Sequence, residues 1–258
     1  MVPRLYVPAL DPRDRSVSLP DIEAGHLRRV LRVKAGATVR LFDGRGREVE
    51  ARVTSVDRAA VVAEIGEPVA PSPEWGVRVT LAQAILKGDK TDDVVRDAVM
   101  MGVAAIQPLL TARTDVPAAA FSHGRRIERW HRIAVSSAKQ CGRAVVPPVL
   151  APCSLAECLA EARAGARLML VEPAASPSAP VFWPPADASR AAIVLVGPEG
   201  GWADDEVAQA LSAGFLPVSL GPRTLRADAA PLVALSVLQC VWGEIPGLPP
   251  PPGSTAPG

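Results

Sequence analysis

The segment Pro68-Val69-Ala70-Pro71-Ser72-Pro73 places three prolines in six residues and divides the chain into two stretches of different grain. Proline fixes its own φ, donates no backbone hydrogen bond and pushes the residue before it toward extended conformations, so the run reads as a linker. Before it, RLYVP, ATVRLFDG, REVEARVTSV and AAVVAEIG alternate apolar and polar residues or run apolar, and Asp43-Gly44 and Arg45-Gly46 supply turn chemistry. One basic helix, expected over residues 22–31, interrupts these strands. The pattern is that of a small β-barrel, expected over residues 1–70.

After the break, strands alternate with helices. VRVTLAQAIL, AAIQPLL, RLMLVE, AAIVLVG and PVSLG read as strands; DKTDDVVRDAVMMG, RRIERWHRIAVSSAKQCG, SLAECLAEARAG, ADDEVAQALSAG and APLVALSVLQCVWG read as helices. This alternation specifies an α/β fold with a mostly parallel sheet and helices on both faces, expected over residues 75–245. Residues 246–258, PGLPPPPGSTAPG, are too rich in proline to pack and are expected to be a disordered tail.

Composition narrows the class further. Apolar residues make up 48% of the 258, which suits a globular chain. No apolar run reaches about 18 residues, and the start MVPRLYVPAL has no signal-peptide layout, so a cytoplasmic protein without membrane contact is expected. Cys141, Cys153, Cys158 and Cys240 include no CxxC pair and none stands beside a histidine at metal-ligand spacing, so reduced thiols and no bound metal are expected. The formal net charge is only +1, yet His26–Arg47 holds seven Lys or Arg against Asp43, and His123–Arg143 holds six against Glu128. A phosphate backbone and a merely solvated face account for these two islands equally well.

Two strand ends carry unusual chemistry. VLVGPEGGW and VSLGPRTLRAD each leave a strand through Gly-Pro and then deliver charge, Glu199 in the first and Arg223 with Arg226 in the second. Glycine lets a planar ring lie against free backbone N–H and C=O groups. Val171-Glu172-Pro173 ends a third strand, and three such ends would make a ligand cleft at the carboxyl edge of the sheet. Taken singly, either loop reads equally well as a strand that just ends in Gly-Pro. The G-x-G-x-x-G dinucleotide fingerprint, a P-loop and a G-x-S-x-G elbow are all missing, which argues against hydride transfer on a Rossmann site and P-loop phosphoryl transfer. His26, His123 and His131 lie in basic stretches rather than at the glycine loops, so histidine general-base catalysis is not expected.

GPEGGW with its following acidic helix, then LGPRTLR, resembles the RsmE family of 16S ribosomal RNA uridine N3-methyltransferases of the SPOUT superfamily. RLYVP, HLRRVLRVKAGATVRLFDG, LKGDKTDDVVRDAVMMGVAAIQPLLTART and AKQCGRAVVPPV support it in the same order. The resemblance implies a PUA-like barrel that helps hold RNA, followed by a SPOUT α/β domain whose last segment is threaded into a trefoil knot. It also implies S-adenosyl-L-methionine as methyl donor, 16S rRNA within the small ribosomal subunit as substrate, and a homodimer with the active site close to the subunit interface. Val196, Gly197, Pro198, Glu199, Gly200 and Gly201 would form one wall of the cofactor pocket, Leu220, Gly221 and Leu225 the facing wall, and Val171 with Glu172 the third.

Uracil N3 must lose its proton before or during attack, which calls for donors near O2 or O4 and for a proton acceptor. Arg223 and Arg226, with Arg143 as a third, are the candidate donors, and each reads nearly as well as a phosphate anchor. Glu199 and Asp228 are the candidate acceptors, though Glu199 also suits a bracing role in its own loop. Arg28, Arg29, Arg32, Arg126, Arg129, Arg132 and Arg143 are expected on rRNA phosphates. The chain departs from the family at Thr224, usually Ile; at Ala227-Asp228-Ala229, usually Thr-Glu-Thr; at Met100-Met101, usually Glu-Leu; and at Lys139, usually Glu. Rival readings are a noncatalytic RNA-binding homologue and a SPOUT methyltransferase acting on another RNA or atom.

Overall fold

The computed structural model of the chain describes residues 2–11, 13–116, 124–162, 165–173 and 191–242. The tail expected over 246–258 and His123 lie outside them. The described residues up to Glu74, together with Val135–Val146, form one compact unit, and the rest from Trp75 onward form another.

The first unit is a five-stranded sheet in the order β1-β3-β4-β5-β2, built from β1 (Arg4–Tyr6), β2 (Ser16–Ser18), β3 (Thr38–Phe42), β4 (Glu48–Val56) and β5 (Val61–Pro68). Only β1 and β3 run parallel; the other pairs are antiparallel. Along β4 the buried residues Val49, Ala51 and Val53 alternate with the exposed Glu50, Arg52 and Thr54, as a strand with one face on the core requires. These side chains join Leu5, Leu41 and Val61 in one apolar cluster. Helix α1 (Asp21–His26) adds Ala24 to that core, and Leu27 follows it there.

The basic helix expected over 22–31 differs in detail. After His26 the chain widens into a π-helical turn, Leu27–Leu31, and stops at Arg32 in the left-handed region, with φ 51°.

Arg4 explains why Val135–Val146 belongs to this unit. Its Nε donates to Glu48 Oε1 at 3.0 Å, and Nη2 donates to Glu48 Oε2 at 2.8 Å and to the Arg143 carbonyl at 2.9 Å. Nη1 donates to the carbonyls of Ala138 and Lys139 at 2.8 and 3.0 Å. All five guanidinium donors are thereby matched, two of them to carbonyls that a helix end leaves without partners.

The second unit is a six-stranded, wholly parallel sheet in the order β11-β9-β10-β6-β7-β8. Its strands are β6 (Arg78–Ala84), β7 (Ala105–Leu110), β8 (Cys153–Ser154), β9 (Ala166–Leu170), β10 (Ala191–Val196) and β11 (Leu216–Val218). Its helices are α2 (Lys90–Met100), α4 (Leu155–Glu161), α5 (Asp204–Ser212) and α6 (Ala230–Val241), with the first part of α3 (Arg125–Cys141). β10, sequence AAIVLV, is apolar throughout because a parallel strand between helical layers has no wet face. Ala82, Leu109, Met169 and Leu195 face α4 and α5 in one cluster with Cys158 and Ala210. Leu81 alternates with Ala82 onto the opposite face and is also fully buried. Helices α2 and α6, packed on each other, supply buried Val95, Val99 and Leu235.

Candidate active site

Strands β11, β9 and β10 are neighbours in the parallel sheet, so their carboxyl ends open on the same edge. Their exit loops line a cavity of about 800 Å³. Val171 and Glu172 come from β9, Val196 through Gly201 from β10, and Leu220, Arg223, Leu225, Arg226 and Asp228 from the segment after β11. Three separate stretches flagged in the sequence thus meet at one site.

The β10 loop is held from several sides. The Trp202 indole N–H donates to the Leu170 carbonyl at 2.8 Å, tying this loop to the end of β9. A Cβ on Gly197 would sit 3.2 Å from that indole, so glycine is what allows the close approach. Arg113 Nη1 donates to the Gly200 carbonyl at 2.9 Å. Buried Glu206, in the first turn of α5, accepts from the backbone N–H groups of Ala112 and Ala203 at 2.8 and 3.0 Å. Gly201 has φ +68°, a conformation that a side chain strains.

Glu199 accepts from Lys90 Nζ at 2.7 Å and from the Lys87 backbone N–H at 3.3 Å. Partial burial works to raise its pKa, but the hydrogen bond from Lys90, backbone donors and the Lys90 charge together outweigh it, so the carboxyl titrates below the ordinary glutamate range. It is an ion-paired brace.

The segment after β11 is held by its own residues. Arg226 Nε and Nη2 donate to the two Asp228 oxygens at 3.0 and 2.8 Å. That bidentate pair lowers the Asp228 pKa, partial burial opposing it, while the Arg226 guanidinium stays 74% exposed. Arg223 lines the cavity, is exposed and has no hydrogen-bond or ion-pair partner among the described residues. Gly221 is exposed and not part of the cavity wall; its φ of +95° shapes the turn instead.

The arginines expected on phosphate separate into groups. Arg29 and Arg32 are exposed, whereas Arg28 Nη1 is committed to the Asp57 and Arg58 carbonyls at 2.6 and 2.7 Å. On α3, Arg132 is exposed, Arg126 is half-buried, and Arg129 is ion-paired with Asp89 and Asp92. Arg143 is a correction. It is 5% exposed and forms a bidentate ion pair with Glu74 within the first unit, so its charge is not offered to a ligand.

Lys90, Arg113 and Trp202 were given no role from sequence. They lie in the quoted stretches LKGDK, LLTART and GPEGGW, but their contacts reach across the fold. Among the described residues no cluster of three or more His, Cys, Asp or Glu side chains is placed to hold a metal ion.

An RNA methyltransferase domain matches residues 73–239, and an RNA methyltransferase PUA domain matches residues 19–66. Ribosomal RNA small subunit methyltransferase E of Synechocystis sp. is 34% identical over 244 residues, covering 93% of this chain and 78% of the relative. The chain belongs to the ribosomal RNA small subunit methyltransferase E family. A crystal structure of a family member from Neisseria gonorrhoeae, bound to S-adenosyl methionine, is 36% identical with a TM-score of 0.85, covering 94% of this chain and 98% of that one. A methyltransferase structure from Legionella pneumophila in complex with SAM is 32% identical, also with a TM-score of 0.85, covering 93% and 97%. The family is therefore recognised through both halves of the chain.

Proposed function

We propose that this chain transfers the methyl group of S-adenosylmethionine to N3 of one uridine in 16S rRNA of the small ribosomal subunit, acting in the cytoplasm as a homodimer. The observation that carries the reading is the convergence of the β9, β10 and β11 exits on one cavity, with a pinned, glycine-bare wall facing a segment whose Arg223 has no partner among the described residues.

The residues fit the methyl donor. A cavity of about 800 Å³ is within the range of about 300–1,000 Å³ common for small-ligand sites. Its apolar side, with Trp202, Val207, Leu211 and Pro217, suits a purine, and Gly197, Gly200 and Gly201 put no side chain between it and the main chain, of which the Gly200 carbonyl and the Gly201 N–H are already bonded to Arg113 and to the Pro198 carbonyl. When bound, the sulfonium supplies a methyl group that is already electrophilic. This chain's part is placement and charge. Arg223, and Arg226 through its remaining donors, face the charge that develops on the uracil oxygens as the N3 proton departs. Glu199 and Asp228 are both held ionised by cations, which makes them weak bases, so the proton leaves to water.

The homodimer is supported by α6, where exposed Val233, Val237 and Cys240 recur at spacings of four and three residues, with exposed Leu232 beside Val233, and form an apolar stripe. Exposed Arg29, Arg32 and Arg132 are the proposed phosphate contacts. Boundaries at 1–70, 75–245 and 246–258 and a trefoil knot in the segment after β11 belong to the same proposal.

The test is incubation with labelled S-adenosylmethionine and small subunits from a strain lacking the modification, followed by mass spectrometry of nucleosides. Label in 3-methyluridine of 16S rRNA is the expected result. Label in another nucleoside, or cofactor binding without any label, overturns the assignment of target.

A further inference from the structure

The segment from Ile22 to Lys34 exposes apolar side chains that its own unit does not use. Ile22 is 75% exposed, Val30 65% and Leu31 40%, whereas Leu27 between them is fully buried. A soluble surface tolerates single exposed aliphatics, but three within ten residues beside a backbone irregularity call for a partner. The irregularity is the π-helical turn Leu27–Leu31, closed by Arg32, the only non-glycine residue with positive φ among the described residues. Wide helical turns and left-handed non-glycine residues are enriched at functional sites, and such a conformation persists where surrounding contacts hold it. Here the wide turn projects Val30 and Leu31 outward, while Arg28 fastens it to the carbonyls of Asp57 and Arg58.

Around Val30 and Leu31 positive charge predominates, although exposed Asp21 precedes Ile22 and exposed Asp57 lies where Arg28 is fastened. Arg29, Arg32 and Lys34 are exposed and have no ion-pair partner among the described residues. Glu23, the only acid from Ile22 to Lys34, is 4% exposed and bonded to Lys139 Nζ at 2.7 Å, so it offers nothing outward. A complementary partner must therefore present anionic groups and apolar faces together. RNA with unpaired bases does so, whereas duplex RNA hides its bases in the stack and offers mainly phosphate and ribose.

We infer that Val30 and Leu31 form an apolar tip that packs against unpaired bases of the RNA while Arg29 and Arg32 hold the flanking phosphates. The tip makes the first unit a reader of unstacked RNA. This rests on the reading of the chain as an rRNA methyltransferase, and the RNA methyltransferase PUA match over residues 19–66 covers the tip and favours RNA over an acidic protein.

The probes are a single-stranded RNA oligonucleotide carrying 2-aminopurine and the same strand annealed into a duplex, bound to the full chain. For Val30→Ser/Leu31→Ser, affinity for the single strand should fall about tenfold and the fluorescence change should vanish. Duplex affinity, cofactor binding and the slope of log affinity against log salt should stay as in the wild type. Arg29→Ala/Arg32→Ala should weaken both RNAs and reduce the single-strand salt slope by about 0.7 per lost phosphate contact. An unchanged single-strand affinity in the serine variant, or equal losses on both RNAs, overturns the inference. So does a variant that binds free RNA normally but no longer methylates assembled subunits, since the surface would then face a protein. The two readings fail separately: a wild-type chain that transfers no methyl group to rRNA removes the proposed function, whereas an unchanged serine variant removes the tip.

Discussion

The loops Gly197-Pro198-Glu199 and Gly221-Pro222-Arg223 leave parallel strands through the same Gly-Pro pair and then present opposite charges. Their fates in the fold differ. The first is gripped from outside, by Trp202 on Leu170, Arg113 on Gly200 and Lys90 on Glu199. The second is closed by short-range bonds of its own, Ser219 Oγ donating to the Gly221 carbonyl at 3.1 Å and Arg226 to Asp228. A wall held by distant residues keeps its shape whether or not a ligand is present. A loop closed on itself can trade its contacts for those of a substrate at little cost to the rest of the sheet. One Gly-Pro exit is thus suited to fixed binding and the other to charge that responds to the reaction.

The largest expected effect comes from removing the free charge of the second loop. Arg223→Ala should lower turnover by about a hundredfold or more while the cofactor dissociation constant hardly moves. Parallel loss of both would place Arg223 in the cofactor wall and erase the contrast. The fixed wall should answer the other way. Gly201→Val forces a β-branched side chain into φ +68° and toward Glu172, whose Oε1 lies 3.3 Å from the added Cβ. Cofactor affinity measured by calorimetry should fall about ten- to a hundredfold, and an unaffected constant would mean that this wall yields. Gly221→Ala is the smaller counterpart, because nothing lies within 4 Å of its added Cβ and only the φ of +95° resists it. A loss of about tenfold or less is expected there, on the order of 1 kcal/mol of backbone strain.

Lys90→Met sharpens the comparison through pH. In the wild type the carboxyl of Glu199 titrates below the ordinary glutamate range, so the pair contributes above that range and is lost only as pH falls through the depressed value. Without Lys90, burial is opposed by fewer donors and the titration moves upward. Cofactor affinity of the variant should therefore begin to fail at a higher pH than in the wild type, by a few-fold within the weakly acidic range; coincident pH profiles would show that the brace plays no part. The smallest effect concerns a group outside both loops. Burial pushes the Cys158 thiol up to about 12, so iodoacetamide at neutral pH should label Cys158 far more slowly in the folded protein than in the urea-unfolded chain. Early loss of the Cys158 thiol, followed by peptide mass spectrometry, would show that helix α4 opens.

The strands and their exits were legible because their signals are local. AAIVLV reads as a buried strand from six residues, and the glycines after it announce a close approach without saying of what. The wide turn after His26 was not legible, since Leu27–Leu31 has ordinary helix-forming residues and only the anchoring of Arg28 on the β4–β5 connection distinguishes it. Arg143 was misread for a related reason. It stands at the end of a basic run, and nothing near it in the chain reveals that Glu74, 69 positions away, takes its charge.

By itself the amino-acid order determined most of the strands and helices, though not the short β2 and β8, and where glycine and proline end them, because φ restriction and side-chain periodicity act within a few residues. The tertiary structure alone decided that β9 lies between β11 and β10, bringing three exits to one edge, and that Lys90 meets Glu199 across 109 positions. Strand order and ion pairing are set by which surfaces bury one another, a competition among all segments at once, and no window of the sequence contains its outcome.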